Sequence, residues 1–330
     1  MRLIDCTLRD GGNLNNWKFS TDDIVRIVGH LDAAGVDVIE VGYRGGSGSK
    51  RDKDVGVTAD VSTSLLTELP ARAHADLAVM AVPTVCPVHA LDDLIDTPVR
   101  WIRVAVYPQD VDLAFPFIEH LKRRGHQVGM NLMAATYATP YEVVQVAKRA
   151  VSAGADMFYI ADSFGAMGPD QVTQYIGSLR ASTDVDIGFH GHNNLGLAFL
   201  NAHAAKLAGA SCLDSSLCGM ARGAGNLVTE QVVASADWFL PGHRGNVNDA
   251  LSAAELVFAK YMRDPMPVRR PEIECGLGNV HYYSYGDFQK ITEQYGIDRL
   301  RLMLAVSEAG KVKYPIEDIE RVAKSMREVV

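Results

Sequence analysis

Three polar clusters in the 330-residue chain carry side chains able to do chemistry: Thr7-Leu8-Arg9-Asp10-Gly11-Gly12, His190-Gly191-His192-Asn193-Asn194, and Gly219-Met220-Ala221-Arg222-Gly223-Ala224-Gly225-Asn226. An H-x-H on an extended strand points both imidazoles to one face, because side chains alternate with period two. Two neutral imidazoles and one carboxylate form a mixed nitrogen and oxygen site for a divalent cation, with positions left open for substrate and water. An isolated H-x-H is also what a hydrogen-bonded pair on a strand rim looks like, and Asp10 alone could be a loop cap. The glycines beside Asp10 let a ligand approach the backbone closely, which favours a site.

About 180 residues separate Asp10 from the two histidines, so a fold must bring them together. Short apolar runs alternate with longer amphipathic ones. Strand-like runs fall at Leu3–Asp5, Val36–Val41, Ala75–Val82, Trp101–Tyr107, Gln127–Met133, Met157–Ala161, Asp186–Phe189 and Ser211–Ser215. Helical spacing falls at Thr21–Ala34, Pro140–Ala153, Pro169–Ser182, Leu195–Ala208 and Asn226–Phe239. Eight βα units in about 240 residues predict an α/β TIM (β/α)8 barrel. Barrel closure sets the first, seventh and eighth strands side by side, with the three clusters at their C-terminal ends, where barrel enzymes keep their sites. An open doubly wound sheet is the alternative, but no G-x-G-x-x-G follows the first strand. Gly45, Gly46 and Gly48 form a charged, flexible loop that lacks the lysine-serine ending of a P-loop.

After about residue 240 the alternation stops. Asp249–Tyr261 is helical and Arg263–Pro271 reads as a linker; helical patterns follow at Asp287–Tyr295, Arg299–Ser307 and Ile316–Met326. The expected division is a barrel domain over 1–262 and a helical C-terminal region over 263–330.

The runs DCTLRDGG, HGHNNLGLA and GMARGAGN resemble the DRE-TIM metallolyases. That superfamily includes hydroxymethylglutaryl-CoA lyase, isopropylmalate and homocitrate synthases, and 4-hydroxy-2-oxovalerate aldolase. The segment PVRRPEIECGLGNVHYYSYGDFQKITEQYGID resembles the C-terminal region of the aldolases. The resemblance implies a class II aldolase or lyase that makes or breaks a C–C bond through a metal-stabilised enolate of a 2-oxo acid such as pyruvate. It implies Asp10, His190 and His192 as metal ligands, with Asn226 as a further ligand or a neighbour of the ligands. The ion would be manganese or magnesium, with zinc or cobalt as alternatives. Arg9 would stabilise the enolate oxygen, or else form an ion pair across the barrel mouth. Ser163 matches a carboxylate-binding region, with a capping role as its alternative, and Glu40 a supporting glutamate at a strand end.

The chain departs from the aldolase pattern at Asn13, where the family carries a histidine base; an amide has no titratable proton to give, which leaves Asn13 a substrate-positioning role. His281, with Tyr282 or Tyr283, could supply acid–base chemistry from the tail, where Leu277 and His281 stand near the place of a family tyrosine; a surface histidine is the alternative. Cys218 is expected to be a buried, inert thiol. The implied partners are a small 2-oxo acid and an aldehyde, an aldehyde dehydrogenase, and further copies of the chain. A Claisen-type acyl-CoA synthase or hydroxymethylglutaryl-CoA-lyase-like enzyme is the second reading. A non-catalytic metal-binding barrel is the third.

Composition excludes other classes. With 48% hydrophobic and 22% charged residues the chain can bury a large core, which excludes disorder. A net charge of −8 argues against a nucleic-acid binder. Apolar runs are too short to span a bilayer, and the start lacks a signal-peptide core. Five scattered cysteines with no CxxC pair point to a reduced, cytoplasmic protein.

Overall fold

The structure, a computed structural model, describes residues 1–47 and 54–328; the part of the glycine loop around Gly48 lies outside the described residues. Eight parallel strands, β1 (Arg2–Asp5), β2 (Val38–Tyr43), β3 (Asp76–Ala81), β4 (Val99–Val106), β5 (Gln127–Leu132), β6 (Met157–Asp162), β7 (Asp186–Gly191) and β8 (Cys212–Ser215), form a closed barrel. The seam pairs β1 with β8 in the register Asp5 to Ser215, and β7 with β8 at Gly188 to Cys212. This is the TIM barrel expected from the alternation of runs.

Helices on the outside start where local chemistry dictates. The helix Thr21–Ala33 is capped by the Ser20 hydroxyl, which accepts from Asp23 N, and Asp22 and Asp23 in its first turn suit the positive helix end. The helix Pro140–Ser152 begins with a capping box between Thr139 and Glu142. Their apolar faces and the outward faces of the strands form one main core.

The inside of the barrel is layered, because residues two apart on a strand share a face. Ile4, Val38, Ala78, Trp101, Met157, Tyr159 and Cys212 make an apolar layer. Two residues further along β2, β4 and β8 stand Glu40, Arg103 and Asp214, all buried. Gly188 carries no side chain because Tyr159 fills that place; a Cβ there would lie 2.0 Å from the tyrosine ring.

Three local expectations need correction. The helix expected over Asn226–Phe239 begins only at Thr229, and Ser235 divides it into Thr229–Ala234 and Ala236–Phe239. Asn226 stays extended because it bridges to His192, and Leu227 N donates to Gly191 O. Helices at Thr63–Glu68 and Ala114–Arg123 went unforeseen; in the second, Pro116 falls in the first turn, where proline is tolerated. The stretch read as a linker already contains the start of the helix Arg270–Leu277, with Pro271 in its first turn.

The tail helices Arg270–Leu277, Tyr285–Tyr295, Arg299–Ser307 and Ile316–Glu328 share a core built on Cys275, Phe288, Ile291, Leu302, Met303 and Ile319. They sit on the C-terminal mouth of the barrel. Thr136 Oγ1 donates to Asn279 Oδ1 at 2.8 Å, Tyr137 OH to Asn279 O at 2.8 Å, and Asn194 Nδ2 to Glu272 O at 3.1 Å. Among the described residues no helix is long and apolar enough to cross a membrane.

Candidate metal centre and active site

Asp10, His190 and His192 converge at the barrel mouth, each buried, with one ligand atom apiece all within 4.8 Å of one another. Asp10 follows β1, His190 lies within β7 and His192 just beyond it, so closure at the β7–β8–β1 seam creates the cluster. The two Nε2 atoms face each other at 3.4 Å, and stand 3.6 Å (His190) and 3.8 Å (His192) from Asp10 Oδ2.

The protonation states suit a cation. His190 Nδ1 lies 3.0 Å from Asp214 Oδ2, so an Nδ1–H donates to the carboxylate and the Nε2 lone pair faces the cluster. Burial, then the charge of Arg222, hold His192 well below the usual histidine range, hence neutral. Burial alone would raise the Asp10 carboxyl; Arg9, His192, His190 and Arg222 outweigh it and keep the group far below the ordinary carboxylate range. Asn226 Nδ2 donates to Asp10 Oδ2 at 2.8 Å, and its buried Oδ1 has no partner. A carboxylate oxygen and two imidazole nitrogens therefore converge, with an orphaned amide oxygen on the neighbouring Asn226, a donor set that fits a divalent ion.

Arg9 sits beside this cluster. Its Nε donates to Glu40 Oε2 at 2.7 Å, its Nη1 lies 2.9 Å from Asp10 Oδ1, and the guanidinium stands 5.8 Å from the centre of the Tyr43 ring. It is both an ion-pair partner and a fixed cation at the metal cluster. Asn13 Nδ2 donates to Asp10 O at 2.9 Å and to Asp10 Oδ1 at 3.2 Å, so the amide steadies the aspartate.

Two charged residues at this site escaped the sequence reading. Arg103 binds Asp214 Oδ2 through Nη2 at 2.5 Å and lies 3.1 Å from Glu40 Oε2, with its guanidinium over the Tyr159 ring at 4.3 Å. The chain Arg9–Glu40–Arg103–Asp214–His190 thus crosses the barrel interior. The signal that could have revealed it is a charge at an inward position of an otherwise apolar strand, as in VRWIRVAV and CLDS.

Ser163, after β6, accepts from Ala134 N at 2.9 Å, which leaves its hydroxyl proton free to donate. His281 does not face solvent: it is 2% exposed, packed on Phe164 with ring centroids 4.5 Å apart and on Tyr283 at 5.1 Å. Its Nε2 is 3.4 Å from Tyr107 OH, and its Nδ1 has no partner. The Cys218 thiol is half-buried, donates to Ala254 O at 3.3 Å, and is pushed up to about 12, first by burial and then by Glu230. A thiol in that state is a poor nucleophile.

Burial, then Arg222, His192 and Lys313, hold His281 well below the usual histidine range. Below pH 6.5 the unfolded chain takes up a proton at this histidine and the folded chain does not, so its contribution makes stability fall as pH drops. His281→Phe should remove that contribution. The variant should lose about 1 kcal/mol less than wild type between pH 6.5 and 5.5. Urea unfolding at both pH values measures the difference, and equal losses would mean that His281 is protonated in the folded state.

Comparison with known proteins places the chain in a family. A family model described as HMGL-like matches residues 1–257. The chain is 31% identical over 314 residues to 4-hydroxy-2-oxovalerate aldolase 2 of Nocardia farcinica, covering 94% of this chain and 90% of that one. It is 31% identical over 337 residues to oxaloacetate decarboxylase of Mycobacterium tuberculosis, covering 98% and 96%. The crystal structure of the N-terminal domain of a putative aldolase from Bacteroides vulgatus superposes with a TM-score of 0.78 at 27% identity, over 88% of this chain and 97% of that one. The HMG-CoA lyase of Bacillus subtilis shares the fold, with a TM-score of 0.66 at 18% identity over 81% and 95%.

Proposed function

The chain belongs to the HMGL-like family, the DRE-TIM metallolyases, and from that membership we propose that it is a divalent-metal-dependent lyase that cleaves or forms a C–C bond next to the carbonyl of a 2-oxo acid. The observation that carries the reading is the convergence of Asp10, His190 and His192 beside a guanidinium held in place by Glu40. Manganese or magnesium held by these three residues, with Asn226 as a fourth donor, would supply Lewis-acid polarisation of the substrate carbonyl.

The chain's own residues do the rest. Arg9 cannot swing away, because Glu40 and Asp10 hold it on two sides. It presents a fixed positive charge where negative charge develops on the carbonyl oxygen, and it needs no reorganisation to do so. Ser163 offers its hydroxyl proton to the substrate carboxylate. The tail, seated on the mouth through Asn279 and Glu272, excludes water from the reacting carbons. His281 is a neutral imidazole with a free Nδ1, a weak base that can hydrogen-bond the acceptor-side hydroxyl and steer its proton. The protein works in the cytoplasm, as an assembly of copies of this chain.

Asn13 favours a second reading on the same residues. Aldol cleavage must remove a hydroxyl proton, whereas decarboxylation releases carbon dioxide and needs no base at that place. One relative bears the name oxaloacetate decarboxylase. The test is turnover of purified, manganese-loaded protein with pyruvate plus aldehydes, with oxaloacetate, and with acetyl-CoA plus 2-oxo acids. Aldol product supports the first reading, and pyruvate release above the metal-only rate the second. Thioester consumption alone would replace both with a Claisen reaction.

Arg9→Lys separates chemistry from structure. Lysine has no planar fork and cannot meet Glu40 and Asp10 together. The variant should fold and bind the ion yet turn over about 10²–10³-fold more slowly. Unchanged turnover would leave Arg9 as a structural ion pair.

A further inference from the structure

Arg222 is a charge the site does not use up. It stands in the loop after β8, half-buried, and its one hydrogen bond among the described residues is a long one, from Nη2 to Ser163 O at 3.4 Å. Among the described residues it forms no ion pair. The guanidinium therefore reaches from the β8 loop across β7 to the end of β6. The next residue, Gly223, lies under the tail: a Cβ there would stand 3.5 Å from Tyr282. The positive field of Arg222 acts on Asp10 and His192 on one side and on Tyr107 and His281 on the other. Lys313, with Nζ 5.1 Å from the centre of the Tyr107 ring, adds a second cation at that edge.

The charge balance asks for an anion. Inside the barrel, Arg9 and Arg103 face Asp10, Glu40 and Asp214, two positive charges against three negative. A divalent ion and the carboxylate of one 2-oxo acid make that set neutral. Arg222 is then left over, in a partly desolvated position where an unpaired charge is costly. Beside it His281, 2% exposed, also has a nitrogen without a partner.

We propose that Arg222 is the anchor for a second anionic group on the substrate, so that the acceptor is an aldehyde bearing a carboxylate or phosphate rather than a neutral alkyl aldehyde. This rests on the lyase reading above and adds the class of acceptor to it. The second charge lies toward the tail, between Arg222 and His281, and the 2-oxo acid lies toward Asp10 and the histidines.

Two measurements on the manganese-loaded protein test this. In calorimetry, wild type should bind succinate or glutarate about 10–100-fold more tightly than butyrate, the range for one charge-assisted hydrogen bond. Arg222→Met should erase the preference and Arg222→Lys should keep part of it; a folding defect would weaken both classes of ligand alike. In turnover with pyruvate, Arg222→Met should raise KM for succinic semialdehyde and for glyceraldehyde 3-phosphate far more than KM for butanal or for pyruvate; which anionic aldehyde wild type prefers separates carboxylate from phosphate. No preference for dicarboxylates in wild type, or a rise in KM for pyruvate alone, overturns the proposal. Should no aldehyde react, the lyase reading of aldol type fails, and calorimetry still decides whether Arg222 holds an anion.

Discussion

Asp10→Asn is expected to abolish divalent-ion binding and turnover together while the barrel stays folded. The amide is isosteric, and its single oxygen keeps one of the two bonds the carboxylate now accepts, from Asn13 Nδ2 at Oδ1 or from Asn226 Nδ2 at Oδ2. Arg9 keeps its buried partner Glu40. What disappears is the only negative charge among the donors. Losing several kcal/mol of carbonyl polarisation corresponds to about three orders of magnitude in rate. Metal analysis after gel filtration, circular dichroism and turnover report the three quantities separately. Full wild-type activity in excess chelator would overturn the metal-dependent reading altogether.

The largest effect on stability is expected at Arg103. Its guanidinium is 1% exposed and faces Glu40 and Asp214, themselves fully buried or nearly so. Arg103→Met strands those carboxylates in the barrel, which costs about 3–5 kcal/mol. The double variant Arg103→Met with Asp214→Leu removes the stranded charge on one side and leaves Glu40 with Arg9. It should regain part of the stability. It should still bind metal about 10–100-fold more weakly, because His190 has lost the acceptor for its Nδ1 proton. Urea unfolding and metal titration on the two variants check both statements. A double variant no more stable than the single one would mean that Arg103 acts through packing on Tyr159 rather than through charge.

The fold was legible because each strand is a short apolar run bounded by turn residues, and eight of them in order leave few topologies. The cluster of Asp10, His190 and His192 was legible because H-x-H and Arg-Asp-Gly are unusual at strand ends. Asn226 was visible as a site residue, but its backbone was misread. GAGNLVTEQVV has helical spacing, and tertiary pairings, of Asn226 with His192 and of Leu227 N with Gly191 O among them, keep its first residues extended. Gly225 makes that turn possible at φ +83, where a Cβ would lie 2.2 Å from Gly219 O. Arg103 and Asp214 were illegible for a different reason. A lone charge in a strand has no local partner, and its meaning appears only when strands 111 residues apart in sequence face each other across the barrel. His281 was legible as a tail residue that could act at the mouth, but its burial was not, since no periodicity distinguishes that place from a surface one.

The donors straddle the seam of the barrel, and this gives the chain a built-in order of events. During synthesis Asp10 emerges first and waits while some 180 residues follow before the histidines exist. Until β8 slots between β7 and β1, Asp10 and the two histidines belong to opposite free edges of an open sheet. An ion held by all three would bind the finished ring and not its precursors. It would act as a clasp, drawing the equilibrium toward the closed form by mass action. Ion uptake during refolding would then report closure of the ring at the β7–β8–β1 seam.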